Sequence, residues 1–129
     1  MSGPVEYLDL DDLVDLVGSL LGYPPPVRDI GLLGSAVARP QTTVFGEDAY
    51  RDIWTKAAAL LQSILKNHAL VDGNKRLGWL ATATFLELNG VRVTRMSNDQ
   101  VYQFVIEIRA GDHELEEIAA KLRTLATRR

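Results

Sequence analysis

The residues with the greatest chemical potential stand together in one short stretch, from His68 to Arg76, which reads His-Ala-Leu-Val-Asp-Gly-Asn-Lys-Arg. The stretch ends one apolar-periodic segment and opens another, which predicts a tight loop that leads into the N-terminus of a helix. Such a terminus presents unpaired backbone N–H groups and the positive end of the helix dipole, where phosphate binds readily. Gly73 permits a positive φ and the close approach of a ligand. Lys75 and Arg76 place cations where they weaken a helix, which favours a functional reason for their presence.

Two residues of the same stretch could supply a metal ligand and a base. Asp72 is a hard oxygen donor, and a magnesium site commonly combines one or two carboxylates with the phosphates of the substrate. The neutral imidazole of His68 can accept a proton near physiological pH. Together with the anion site and two cations, these groups predict phosphoryl or nucleotidyl transfer, because that chemistry depends largely on positioning and charge stabilisation. The alternative is an ordinary turn and helix cap at residues 72–74, flanked by solvated side chains.

This stretch resembles the active-site motif of the Fic/Doc family, H-x-F-x-[DE]-[AG]-N-[GK]-R. Leu70 stands where the family usually has Phe, and we expect it to anchor the loop in the core because it is large and apolar. The lysine of the motif is typical of the Doc branch, the toxin half of the Phd–Doc type of toxin–antitoxin pair. The likeness extends over nearly the whole chain. Six positions of the motif agree, namely His68, Asp72, Gly73, Asn74, Lys75 and Arg76.

The resemblance implies an enzyme that uses ATP and Mg²⁺ to modify a Ser or Thr hydroxyl of a target protein. Toxins of the Doc branch resemble kinases, and their known target is elongation factor Tu, so inhibition of translation is the implied outcome. A Phd-like antitoxin that acts in trans is the implied partner. Carried onto this sequence, the motif makes His68 the base and Asp72 the magnesium ligand, with Lys75 and Arg76 also catalytic, and it assigns phosphate binding to Gly73, Asn74, Lys75 and Arg76.

Two departures bear on which group is transferred. Most Fic proteins transfer AMP, carry Gly in place of Lys75, and have a second Arg at the position of Trp79. Both differences favour the kinase hypothesis, because a lysine side chain would compete with the phosphate that an adenylylating enzyme places in the anion site. Adenylylation remains the alternative within the enzyme class. A catalytically inactive helical protein-binding module, or a nucleic-acid-binding helix at residues 74–76, would be an alternative from another class.

A second functional element is expected ahead of the motif. Residues 42–45 favour an extended conformation. In the Fic/Doc family the corresponding region is a flap beside the active site, where a target peptide docks by adding a strand to an exposed edge. The position of this segment therefore implies an extended flap near residues 40–46, which ends at Gly46, and an ordinary connecting loop is the equal alternative. The target-docking residues would be Gln41, Thr42, Thr43 and Val44.

Length and composition restrict the remaining possibilities. A chain of 129 residues fits a single domain over residues 1–129, and its 47% apolar content is enough for a core. The net charge of −3 provides no broad basic surface, so direct nucleic-acid binding is not expected. The absence of cysteine excludes disulfides and thiolate chemistry. Neither a secretory signal nor an apolar stretch of membrane-spanning length is visible, so we expect a cytoplasmic protein without a membrane partner.

Apolar residues at helical spacing predict a compact all-α bundle of about six helices. The helix after the motif is apolar over much of its circumference, so it should be central. A short extended link is expected over residues 91–95, His113 is expected to be exposed and inert, and Arg128–Arg129 should end the last helix. The predicted helices run over residues 7–21 with Asp9 as N-cap, from the cap Asp29 to near Pro40, from Glu47 to about Lys66, from Asn74 to Asn89, from a cap at Ser97 or Asn98 past Ile108, and onward from a turn at Gly111–Asp112.

Overall fold

The computed structural model describes residues 4–93 and 96–127, and it is built from six α-helices. None of the helices in these two stretches has the length and apolarity needed to cross a membrane. The predicted all-α bundle is confirmed. The predicted link over 91–95 lies partly, and the arginine pair at 128–129 wholly, outside the described residues. The helices are α1 Leu10–Leu21, α2 Ile30–Ala38, α3 Ile53–Asn67, α4 Asn74–Leu88, α5 Asn98–Ala110 and α6 Leu115–Thr127.

Short polar side chains set where four of these helices begin. The Asp29 carboxylate accepts from the Leu32 N–H at 3.3 Å and opens α2, and Asp52 accepts from the Thr55 N–H at 2.8 Å and opens α3. Asp9 and Ser97 each form a reciprocal capping box at the start of α1 and α5. Such caps satisfy N–H groups that have no partner inside the helix. The predicted caps at Asp9, Asp29 and Ser97 are therefore confirmed.

Helices α3 and α4 form the centre of the bundle and are joined by the motif loop. Ala57, Ala58 and Ala59 of α3 are fully buried, so neighbouring helices pack close to its backbone. A Cβ atom at Gly78 of α4 would lie 3.2 Å from side-chain carbons of Leu61 and Leu65, which shows how closely the two helices approach. The predicted central position of α4 is confirmed. One buried cluster draws apolar side chains from every helix, including Leu13, Leu33, Leu61, Phe85, Phe104 and Leu122.

The segment before α3 is a β-hairpin and not the start of the helix. Strand β1, Thr43–Val44, pairs antiparallel with β2, Glu47–Asp48, and Arg39–Gln41 forms a short 3₁₀ turn ahead of them. The prediction of a helix from Glu47 is therefore wrong, and the extended flap runs over 43–48 and does not end at Gly46. Gly46 has a φ of +81° and makes the hairpin turn, which a helix cannot continue through.

Candidate active site

The motif loop begins at His68, which ends α3 in the left-handed conformation with φ 51° and ψ 49°. The segment before α2 holds the backbone of this loop. The N–H groups of Arg28 and Asp29 both donate to the Ala69 carbonyl oxygen, at 2.8 and 3.1 Å. The Arg28 guanidinium donates to the His68 carbonyl oxygen. His68 itself is half-buried, so its backbone is fixed while its imidazole keeps access to solvent.

The loop is anchored in the core by Leu70, which is 1% exposed. The Asn74 side chain bonds to both peptide groups of this residue: Leu70 N–H donates to Asn74 Oδ1, and Asn74 Nδ2 donates to the Leu70 carbonyl oxygen, each at 3.1 Å. Buried backbone groups need such partners. The expected anchoring by Leu70 in place of Phe is therefore confirmed.

Helix α4 begins after Gly73, whose φ is +89°. A Cβ atom at this position would lie 2.9 Å from Leu21 Cδ1, the end of a flexible side chain, so it is chiefly the backbone conformation that requires glycine. No side chain caps this terminus, in contrast to α1, α2, α3 and α5. The N–H groups of the first turn of α4 are therefore available to an anion.

Asp72 is exposed, and its Oδ1 accepts from the Gly73 N–H at 2.8 Å, which orients the carboxylate beside the α4 terminus. Among the described residues, no group of three His, Cys, Asp or Glu side chains could hold a metal ion. A single carboxylate next to an anion site fits Mg²⁺ in particular, because that ion keeps several waters and takes further ligands from substrate phosphates. Asp72 is thus suited to a metal that is shared with a phosphate-bearing ligand.

One pocket of about 280 Å³ collects all six motif residues on its wall. It therefore brings together the imidazole, the carboxylate, the α4 terminus and the two cations that the motif carries. Its wall also includes Arg109, which comes from α5 and which the sequence did not single out. No local pattern marks Arg109, because its place in the pocket depends on how α5 packs. The lining residues are Leu65, His68, Val71, Asp72, Gly73, Asn74, Lys75, Arg76 and Arg109.

Comparison with known proteins agrees with this geometry. A sequence profile of the Fic/DOC family matches residues 7–86, which include the whole motif loop and most of α4. The chain belongs to the Fic/Doc family. It is also 50% identical over 118 residues to Toxin Doc of Mycolicibacterium smegmatis, an alignment that covers 91% of each chain. The predicted membership of the Doc branch is therefore confirmed. The protein is a toxin and a transferase that acts on proteins.

In this Doc-type chain, Trp79 occupies the position where most Fic proteins carry a second Arg. Its ring packs edge-to-face against Phe104 of α5, with centroids 6.3 Å apart and an interplanar angle of 82°. Aromatic pairs favour this geometry. Position 79 therefore serves the packing of α4 against α5, and it adds no charge to the pocket.

The expected docking flap is the hairpin, and none of its residues is among those that line the motif pocket. Thr43 and Val44 form β1, whereas Gln41 belongs to the 3₁₀ turn and Thr42 links the two. Both strands are exposed, and the sheet has two strands, so each has one unpaired edge. Phe45, at the tip, is fully exposed. An exposed strand edge is suited to the addition of an extended peptide.

Buried polar contacts hold the base of the hairpin on α3. Lys56 is 1% exposed, and its Nζ donates to Asp48 Oδ2 at 2.9 Å and to the Tyr50 carbonyl oxygen. Burial alone lowers the pKa of Lys56, but its interactions with Asp48 and Tyr7 outweigh burial and raise the pKa above the ordinary 10.5. Arg39 donates to the Tyr50 hydroxyl at 3.0 Å and to Gln62 Oε1 at 2.8 Å. No sequence pattern marks Lys56 as buried, because a lysine within a helix is expected to face solvent.

His113 differs from its prediction, because it is half-buried and not exposed. Its Nε2 lies 3.2 Å from the Glu107 carbonyl oxygen. With Lys66, His68 and Arg109 it lines a second pocket of about 240 Å³ that adjoins the first through His68 and Arg109. The backbone contact of His113 therefore belongs to the turn that ends α5.

Proposed function

We propose that this chain is a Doc-type protein kinase that transfers the γ-phosphate of ATP to a Ser or Thr hydroxyl of a target protein. The observation that carries this proposal is the shared pocket, in which His68 and Asp72 stand beside the uncapped terminus of α4. A base, a metal carboxylate and an anion site are the parts that phosphoryl transfer requires. Elongation factor Tu is the target that the family implies, and its modification would inhibit translation in the cytoplasm.

The proposed reaction assigns one role to each motif residue. The His68 imidazole takes the proton of the target hydroxyl as the hydroxyl oxygen forms a bond to the γ-phosphorus, and the bond from that phosphorus to the bridging oxygen of ADP breaks. The Gly73 N–H already donates to Asp72 Oδ1, so the N–H groups in the first turn of α4 would bind the phosphate oxygens, and Lys75 and Arg76 would balance their charge. Asp72 would hold Mg²⁺, which supplies charge neutralisation on the phosphates.

The Asn74 side chain would act through the loop and not on the substrate. Because it bonds to both peptide groups of Leu70, it fixes the backbone between the base and the metal carboxylate. Sites of this kind work when their supporting contacts are rigid. This contact supports an assembled catalytic loop, and it argues against an inactive binding module.

Target docking is proposed at the hairpin. A peptide that adds to the free edge of Thr43–Val44 would be held by main-chain hydrogen bonds, and side-chain contacts at Gln41 and Thr42 would add selectivity. A Phd-like antitoxin that acts in trans is the proposed partner. No direct contact with nucleic acid or membrane is proposed.

The experiment that tests this function uses ATP labelled at either the α- or the γ-phosphate. Each batch is incubated with Mg²⁺, the antitoxin-free protein and purified elongation factor Tu or a bacterial extract. We expect a protein band labelled from the γ-phosphate alone, and no label with the His68→Ala variant. Label from the α-phosphate would assign the protein to adenylyl transfer. Absence of label from either batch, with folded protein, would contradict the enzymatic proposal.

A further inference from the structure

Arg109 is the residue that α5 contributes to the motif pocket, and the Fic/Doc motif does not include it. The profile match ends at residue 86, well before α5 begins. Arg109 is exposed, and it lines both the motif pocket and the adjoining pocket, as His68 does. Its side chain therefore stands at the junction of the two pockets, next to the residue proposed as the base.

The backbone around Arg109 is held firmly. Its neighbour Ile108 is buried in the core. The carbonyl oxygen of Glu107 accepts from the Gly111 N–H at 3.0 Å and lies 3.2 Å from His113 Nε2, which closes the end of α5. The Glu107 carboxylate pairs with Lys121 of α6, and this ammonium lowers the pKa of Glu107 below the ordinary 4.5. Glu107 is thus engaged elsewhere, and the end of α5 presents Arg109 from a fixed position.

The charges around the pocket are unbalanced. Lys75, Arg76 and Arg109 line it together with a single carboxylate, Asp72. Within the described part of the chain, ion pairs join Arg51, Lys56 and Lys121 to carboxylates, and none joins the three pocket cations to one. This concentration of positive charge occurs in a protein whose net charge is −3. Cations that lie close together without carboxylate partners repel one another, and a polyanion bound in the pocket would offset that repulsion.

We propose that Arg109 is a further phosphate-binding residue, whose guanidinium contacts the phosphate chain of the nucleotide from the α5 side of the pocket. The planar guanidinium can bind two phosphate oxygens through a fixed pair of parallel N–H groups, a geometry that the ammonium group of lysine does not offer. Residues of the motif and Arg109 of α5 would then bind the polyphosphate together. This inference rests on the proposed ATP-dependent function, which places a nucleotide in the same pocket.

The test measures binding and does not depend on catalysis. MgATP, MgADP and inorganic pyrophosphate are titrated calorimetrically into the full-length wild-type protein and into Arg109→Ala, Arg109→Lys and Arg123→Ala. Arg123 is the matched control, since it is an exposed arginine of α6 that does not line the motif pocket. We expect Arg109→Ala to weaken MgATP and pyrophosphate binding about tenfold or more, because a charge-assisted contact is lost. Arg109→Lys should retain part of the affinity, and Arg123→Ala all of it.

The outcomes separate this inference from the proposed function. If the wild type binds MgATP and Arg109→Ala binds it equally well, the role of Arg109 is overturned while the nucleotide site stands. If the wild type binds pyrophosphate but not MgATP, and Arg109→Ala no longer binds pyrophosphate, the phosphate contact of Arg109 is supported and the ATP-dependent function is overturned. If the wild type binds neither ligand, both proposals fall. Circular dichroism checks folding, and Arg109→Lys provides the comparison should the alanine variant unfold.

Discussion

The side-chain amide of Asn74 holds both backbone groups of Leu70, because Asn74 Oδ1 accepts from the Leu70 N–H and Asn74 Nδ2 donates to the Leu70 carbonyl oxygen, each at 3.1 Å. Leu70 is buried, so water cannot readily replace these two bonds. The contact fixes the part of the loop that lies between His68, the proposed base, and Asp72, the proposed magnesium ligand. The side chain of this motif asparagine thus acts as a structural clasp of the loop.

Removal of this clasp should reduce both stability and activity. Asn74→Ala leaves two buried peptide groups unpaired, and we expect a loss of about 2 kcal/mol in the free energy of unfolding. Asn74→Asp keeps the acceptor for the Leu70 N–H but sets a carboxylate oxygen against the Leu70 carbonyl oxygen, so it should fail to rescue. Urea unfolding and γ-phosphate transfer measure the two effects. Full activity in either variant would contradict the clasp.

Gly73→Ala should disable the pocket. The alanine would have to adopt a φ of +89° with its Cβ 2.9 Å from Leu21 Cδ1, a conformation that costs about 1–3 kcal/mol. We expect the loop to shift and MgATP binding to be lost, as measured by calorimetry. The matched control is Gly34→Ala in α2, where the Cβ would meet nothing within 4 Å. The control should bind MgATP normally and be stabilised by roughly 0.5–1 kcal/mol.

Asp72→Asn should abolish magnesium-dependent transfer and leave the fold intact. The amide oxygen of Asn still accepts from the Gly73 N–H, which now donates to Asp72 Oδ1 at 2.8 Å. The negative charge that Mg²⁺ requires is lost, so we expect transfer to fall by about a hundredfold or more. Chelation of Mg²⁺ by EDTA should have the same effect on the wild type. A magnesium titration compares the two proteins, and equal activity at low Mg²⁺ would rule out Asp72 as the ligand.

The buried Lys56 should make stability depend on alkaline pH. Its pKa in the folded protein is raised above 10.5, so its charged contacts with Asp48 and Tyr7 stabilise the fold fully below pH 10.5. That stabilisation is lost as the pH rises through the raised pKa of the folded state. Urea unfolding of the wild type and Lys56→Met across this range measures the difference. The difference in the free energy of unfolding between the two proteins should be constant just below pH 10.5, and above it the wild type should lose stability relative to Lys56→Met. A difference that stays constant over the whole range would refute the link between the charge of Lys56 and stability.

The same variant tests the hairpin as a docking element. Lys56 ties Asp48 of β2 to α3, so Lys56→Met should loosen the hairpin and weaken target modification through KM. Binding of MgATP should not change, because neither Lys56 nor the hairpin lines the motif pocket. Steady-state transfer at varied target concentration, with calorimetry for MgATP, separates the two effects. An unchanged KM with a released hairpin would count against docking at this edge.

Much of the active loop was readable from the chain because its parts are contiguous. His68 through Arg76 lie within nine residues, so one loop and one helix start bring them together in any packing of the helices. The positive φ of Gly73 follows from the freedom of glycine at a loop end, and the burial of Leu70 follows from its large apolar side chain. The helical class followed from apolar periodicity, which reports the buried face of each helix wherever it packs.

The first strand of the hairpin agrees with the predicted extended flap, but the second strand and the burial of Lys56 could not be predicted, for different physical reasons. A strand of two exposed residues carries no alternation of apolar and polar side chains, so Glu47–Asp48 has no strand pattern to recognise. Nothing in the composition around Glu47 excludes a helix. Lys56 is buried only because Asp48 and the Tyr50 carbonyl meet it there, and such partners are visible only after the chain has folded.

The sequence by itself determined the helical bundle, the motif loop and the identity of its reactive groups, since those depend on periodicity and on residues that are neighbours in the chain. The tertiary structure alone decided which part of α5 joins the motif in the wall of the pocket. Arg109 reaches it because α5 packs beside α4 through contacts such as Trp79 with Phe104. Helix packing is set by the combined shape of many distant side chains, and no short stretch of sequence encodes it.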